Sequence, residues 1–483
     1  MKNKIFLLCS LMCLNICSCK KLIEVDNPRN LIVAEQVYAS DLTASAVLTG
    51  IYSDMTKNGI FNGPYSITRF CALSADELVS NTPGGDLLTF VYTNALTNQG
   101  GELRFWSDLY AYIFRANAAI EGINASGKLS PPVKAQLLGE AKFIRALMYF
   151  YLVNLYGDVP LLTGTNVQAN FTIPRTSASS VYSQIIKDLT EAQNEVASNY
   201  VGGDAKTTTM FRVRPNKAVV AALLARVYLY QEKWSDAEQQ SDKVIADASY
   251  QLGTPDQTFL LTSTEAIWQL QPVALNENTY EGDANILFSG GPFDPDGPSY
   301  DRNGKSVYLS KFLFNAFSNN DLRKTVWIDS VTVTGVNYPF TYKYKARGQA
   351  PRTEYLVMLR LAEQYLIRAE ARAKLSKIAG SDGALSDLNR VRQRAGLPDF
   401  SSTDPVAVLQ EVALQRRLEL FMEFGHRWLD LKRTGKVNEV MQDIAPKKGG
   451  NWQPYKSLYP IPVDEIRKTP VLQGHQNPGY PES

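Results

Sequence analysis

The chain has 483 residues, 45% hydrophobic and 20% charged, a balance that suits a globular fold with a large core and excludes a disordered or fibrous chain. Fifty basic residues against 48 acidic ones give a net charge of +2, and Lys2 and Lys4 alone supply the excess. Bulk charge therefore asks for neither nucleic acid nor an anionic membrane surface as a partner.

Residues 1–18 read as a targeting segment, with Lys2 and Lys4 ahead of an apolar run from Ile5 to Ile16. That run is too short to span a bilayer, which takes roughly 20 apolar residues. It ends in Ile16-Cys17-Ser18-Cys19, an aliphatic residue three before a cysteine with small residues between. The pattern resembles a bacterial lipoprotein cleavage site, which would make Cys19 the lipidated (palmitate-bearing) first residue and 19–40 a tether leading into the fold. Cys9, Cys13 and Cys17 leave with the signal, so Cys71 has no partner and the fold is expected to stand without disulfides.

From about residue 38 the pattern is mainly helical. Leu42, Ala46, Leu48 and Tyr52 fall on one face of a first helix. A Gly/Asn/Pro-rich loop is expected over 58–97. Helices follow at Phe105–Ile123, Val133–Tyr156 (stopped by Gly157 and Pro160), Ser177–Val196 (capped by Ser179 or Ser180), Pro215–Tyr230 and Trp234–Ala246. Leu224, Ala225, Tyr228 and Ala237 have the spacing of a tetratricopeptide repeat, where small residues let two helices approach. Helical repeats are thus expected at about 105–250 and 355–433, the latter including Leu356–Leu375 and Ala384–Arg394. Between them, 251–350 is rich in Gly, Pro, Asn and Asp, with a short strand expected at Tyr342–Lys345. A loop insertion of this length is usually functional.

The stretch Val412–Arg433 looks at first like a catalytic centre, since Glu419, Glu423, His426 and Asp430 lie at helical spacing. Glu423-x-x-His426 is half of a carboxylate-bridged di-iron signature. The sequence has only two His, however, and Leu472 rather than Glu stands three residues before His475, so no second Glu-x-x-His exists. Zinc fails for the same want of ligands. No nucleophile elbow, P-loop or dinucleotide fingerprint occurs. Asp294-Pro-Asp296-Gly297 lacks the spacing of a calcium loop and reads as a turn. The expectation is no enzyme, no cofactor and no metal. The 412–433 stretch becomes one structural helix, with Glu423 pairing Arg427, Arg427 pairing Asp430, and Trp428 in the core. Binding is looked for in the loops at 58–97 and 275–310. There Tyr65, Asn81, Asp86, Tyr280, Phe293 and Tyr300 set flat rings beside amides and carboxylates, a combination that suits sugar rings.

Several segments stand out together: WSDLYAYIFRANAAIEGI at 106–123, EAKFIRALMYFYLVNLYGDVPL at 140–161, YLIRAEARAK, LSDLNRVRQRAGLP, the helix at 416–433 and the ending LYPIPVDEI…QNPGY. In this order they resemble the SusD/RagB family of outer-membrane nutrient-binding lipoproteins. Gln415 stands where the family usually has Glu, and Thr469 where Asn usually precedes the proline. The resemblance implies one SusD-like domain over 41–483, a tetratricopeptide-like scaffold with an irregular ligand-binding part holding few short strands. It also implies a lipid-anchored, outward-facing outer-membrane protein that captures an oligosaccharide, or in some members a peptide, and passes it to a TonB-dependent SusC-like transporter. A mainly scaffolding role in that transporter complex is the alternative it leaves. Its motifs are architectural and carry no ligand residue over to this chain.

Overall fold

The computed structural model describes residues 34–57, 59–81, 86–98, 104–289, 298–299, 307–348 and 351–482. Cys19, Phe293 and Tyr300 lie outside the described residues. The fold is mainly helical, and the strands among the described residues pair only two at a time.

Long helices stack in series. Phe105–Ala125 packs on Pro131–Tyr156, which packs on Ala178–Glu195; Lys217–Tyr230 then packs on Ala178–Glu195 and on Trp234–Ile245. The next neighbour of Trp234–Ile245 is Leu361–Lys374, more than a hundred residues on, followed by Ala384–Arg394 and Pro405–Glu419. The loop-rich stretch between is therefore an insertion that leaves the helical stack unbroken, as expected of repeats whose faces are buried only by their neighbours. Small residues set the close approaches: Ala225 and Ala237 are fully buried where two helices meet. A Cβ at Gly122 would sit 2.0 Å from the Tyr38 ring, which packs there.

Local signals differ from expectation in five places. In the first helix, Asp41–Met55, Leu42 and Ala46 are exposed and the buried face is Ala44, Leu48, Ile51, Tyr52 and Met55, one step round the helix. Ser177, not Ser179 or Ser180, caps Ala178–Glu195, and Asn216 caps Lys217–Tyr230, leaving Pro215 just outside it. The expected loop at 58–97 holds a helix, Ile67–Ser74, whose eight residues are all buried. Leu356–Arg360 is a fully buried strand paired with Ala266–Leu270 before the helix begins at Leu361. Apolar runs this short do not distinguish strand from helix. Strand structure near 342 ends one residue earlier, in the hairpin Ile328–Val333 with Val336–Thr341.

A sixth difference is the largest. The 412–433 stretch is two helices, Pro405–Glu419 and His426–Arg433, separated by a turn in which Met422, Phe424 and Gly425 have φ of 53°, 42° and 79°. Left-handed backbone costs roughly 1–2 kcal/mol per non-glycine residue. Burial of Phe421 and Phe424 offsets that cost. So does Lys343, whose Nζ donates to the carbonyls of Glu419 and Phe421 at 2.9 and 2.7 Å, satisfying acceptors that a helix end leaves open.

Candidate functional site

The two loop regions singled out in the sequence meet along one seam. Thr279 Oγ1 donates to Asn62 Oδ1 at 2.9 Å, Gly63 N to Glu281 Oε1 at 3.2 Å, and Arg69 Nη2 to Asn285 Oδ1 at 3.1 Å. Farther along, Leu78–Ser80 pairs antiparallel with Val307–Leu309, so that Val79 faces Tyr308. The short helix Tyr280–Asn285 is held from its other side too. Asn278 Oδ1 accepts from the N–H groups of Thr353 and Glu354, and a Cβ at Gly282 would meet the Ala346 carbonyl at 1.9 Å. Burial pushes the Glu281 carboxyl up to about 7, partly opposed by its hydrogen bond from Gly63 and by Arg69.

Beside this seam lies a cavity of about 650 Å³, within the range of small-ligand pockets. Its floor is apolar, from Ile60, Phe70 and Phe105, with Phe70 and Phe105 edge to face at 5.1 Å. Tyr65, 38% exposed, stands on one wall and half-buried Tyr112 on another. Burial, with the charge of Asp54, pushes the Tyr112 hydroxyl up to about 12, so it stays a protonated donor. Asp54, Lys57, Arg104, Asp108 and Arg115 supply the charged lining.

Of the ligand-binding candidates, Tyr65 lines this cavity. Tyr280 is half-buried at the start of the seam helix. Asn81 is exposed at the end of Leu78–Ser80. Asp86 caps Leu87–Tyr92, accepting from Thr89 N at 3.1 Å, a task that accounts for its position by itself. The sequence reading passed over Tyr112, Arg115, Asp54 and Lys57. A signal for the first two existed: Arg104, Asp108, Tyr112 and Arg115 form a polar stripe at helical spacing, opposite the buried Leu109 and Ile113.

The 419–433 charges have partners elsewhere than expected. Glu423 binds Lys343 and Arg360, the latter by two bonds of 2.8 Å; Arg427 binds Asp76 at 2.8 and 2.9 Å; Asp430 binds Arg416 and Arg433. Glu423 thus does not pair with Arg427, from which the turn at 420–425 separates it, and Arg427 does not pair with Asp430 in its own helix, because Asp76 takes the one and Arg416 and Arg433 take the other. Glu419 is wholly buried among Arg323, Arg360 and Arg394. Trp428 is fully buried, edge to face with Trp452 at 6.0 Å. Burial pushes His426 down to about 4, so it is a neutral core residue. Among the described residues, no three His, Cys, Asp or Glu side chains converge where a metal could sit, and no helix is long and apolar enough to cross a membrane.

Two family models match the chain: one described as starch-binding and associating with the outer membrane, over residues 41–229, and the SusD family model over 333–480. The "SusD-like protein P25" of Formosa agariphila is 27% identical, with 94% of this chain and 95% of that protein aligned. A "SusD-like protein" of Bacteroides ovatus is 24% identical over 84% of this chain and 77% of its own length. Among solved structures, a "laminarin binding SusD-like protein" superposes with a TM-score of 0.71 at 26% identity, covering 90% of this chain and 99% of its own. The "surface glycan-binding protein A" of Bacteroides uniformis reaches a TM-score of 0.76 at 20% identity, covering 90% of this chain and 99% of its own, and speaks for the fold alone. The two models match the helical stack on either side of its loop-rich insertion, and the protein belongs to the SusD/RagB family, whose members are binding proteins rather than enzymes.

Proposed function

We propose that this protein is a lipid-anchored outer-membrane receptor, tethered through Cys19, that captures a glycan nutrient at the cell surface and hands it to a TonB-dependent SusC-like transporter. The observation that carries the reading is the meeting of two distant loop regions beside a cavity of about 650 Å³ walled by Tyr65 and Tyr112. An apolar floor with aromatic walls suits the C–H faces of sugar rings, and the charged rim suits their hydroxyls. A relative of similar fold at 26% identity is named for binding laminarin, a glycan. The 419–433 network is on this reading a brace that fixes the scaffold.

The test is titration of the full chain, purified in detergent, with panels of polysaccharides and of peptides. Saturable glycan binding without product release is expected, and Tyr65→Ala is expected to weaken it roughly threefold to tenfold with the melting temperature unchanged. Peptide binding in place of glycan binding would move the protein to the peptide-binding members. Product release would overturn a receptor role, and neither ligand binding while the barrel still co-purifies would leave a scaffold.

A further inference from the structure

The cavity beside Tyr65 carries more charge than a neutral sugar would use. Its described walls hold three cations, Lys57, Arg104 and Arg115, against two carboxylates, Asp54 and Asp108. Asp54 is shared: Lys57 Nζ donates to one of its oxygens and Arg115 Nη1 to the other, each at 2.6 Å. Arg104 Nη2 reaches Asp108 at 3.2 Å. A guanidinium has five N–H donors and an ammonium three, so these single bonds leave both kinds of cation with donors to spare. The side chains of Lys57 and Arg104 are 67% and 71% exposed and accessible from the cavity mouth. The Arg115 guanidinium also lies 5.7 Å from the centre of the Tyr112 ring, which sets a cation beside an aromatic wall of the cavity.

We propose that the ligand is an acidic glycan, bearing carboxylate or sulfate groups on its rings. Its acid group sits at Lys57 and Arg115, beside Asp54, and a ring face lies on Tyr65. The anion takes up the one positive charge that the carboxylates of the cavity leave unbalanced, through charge-assisted bonds that neutral hydroxyls cannot match. This inference rests on the glycan-binding reading above and narrows it to one substrate class.

Calorimetric titration of the full chain at low salt with length-matched neutral β-glucan, uronate and sulfated oligosaccharides separates the possibilities. One acidic series is expected to bind about tenfold tighter than the neutral one. That preference is expected to shrink as salt is raised and in both Lys57→Gln and Arg115→Gln. Lys57 is surface-exposed, so its replacement keeps the test sound should Arg115→Gln fold poorly. The uronate and sulfate arms tell which acid the site selects. Neutral glycans binding as tightly as acidic ones would overturn the acidic class and leave the glycan receptor standing. An acidic preference untouched by either substitution would overturn the assigned seat. Binding of no glycan at all would overturn both readings.

Discussion

Glu423 is a buried carboxylate with two cations on it, Lys343 and Arg360, and each of those depends on it in turn. Burial alone would raise its pKa; Arg360 first and Lys343 second reverse that, and it stays charged. Removing one partner of such a cluster strands the others, at a cost of about 3–5 kcal/mol. Glu423→Ala is therefore expected to lower the melting temperature sharply while ligand affinity in the folded fraction is kept. Lost affinity with an unchanged melting temperature would instead place Glu423 in the binding site. Trp428 and the acidic and basic residue types of this network were legible from sequence, since charges interleaved with apolar residues at helical spacing announce a buried amphipathic element. The pairings were not. Lys343, Arg360 and Asp76 lie far along the chain from their partners, and only helix neighbours can be inferred from spacing.

At the level of elements, the turn between Pro405–Glu419 and His426–Arg433 determines where those charges point. Gly425 has φ of 79°, and a Cβ there would lie 2.8 Å from Cys71 Sγ and 2.9 Å from Cys71 Cβ, both in the core helix Ile67–Ser74. Gly425→Ala combines left-handed strain with overpacking and is expected to cost roughly 2–4 kcal/mol. Gly127→Ala, with nothing within 4 Å, is expected to leave stability unchanged in the same chemical-denaturation series. Equal midpoints for the two variants would show that the turn can reshape. Long helices such as Pro131–Tyr156 were readable, to within two residues at the start, because periodicity and a glycine stop agree. This turn was hidden because Met422 and Phe424 adopt left-handed backbone under tertiary packing, against their own preference. The strand Leu356–Arg360 was hidden because its partner, Ala266–Leu270, is distant in sequence.

For the whole molecule, the helical stack was legible and the seam was not. The repeats bury neighbour against neighbour, whereas the seam joins 59–80 to 279–285 and 307–309 through contacts no local pattern encodes. Its pH response follows from Glu281, which ties Gly63 to the Tyr280–Asn285 helix. Its folded pKa is raised to about 7 from 4.5. The unfolded chain therefore gives up that proton first, and the stability Glu281 contributes is complete below pH 4.5 and lost as pH rises through 7. His426 acts in the opposite sense. Its folded pKa is lowered from 6.5 to about 4, so its contribution is complete above 6.5 and lost as pH falls through 4. Glu281→Gln keeps a neutral acceptor for Gly63, and its melting temperature is expected to fall less than that of the parent protein between about pH 5 and pH 8. His426→Gln is expected to leave that limb alone above pH 6.5 and to flatten the fall in stability between pH 6.5 and 4. Parallel decline of parent and Glu281→Gln would show that another buried acid, Glu77, which is also raised to about 7, governs the alkaline limb. The protein would then owe its pH response to the core around Asp76 and Glu77 rather than to the seam.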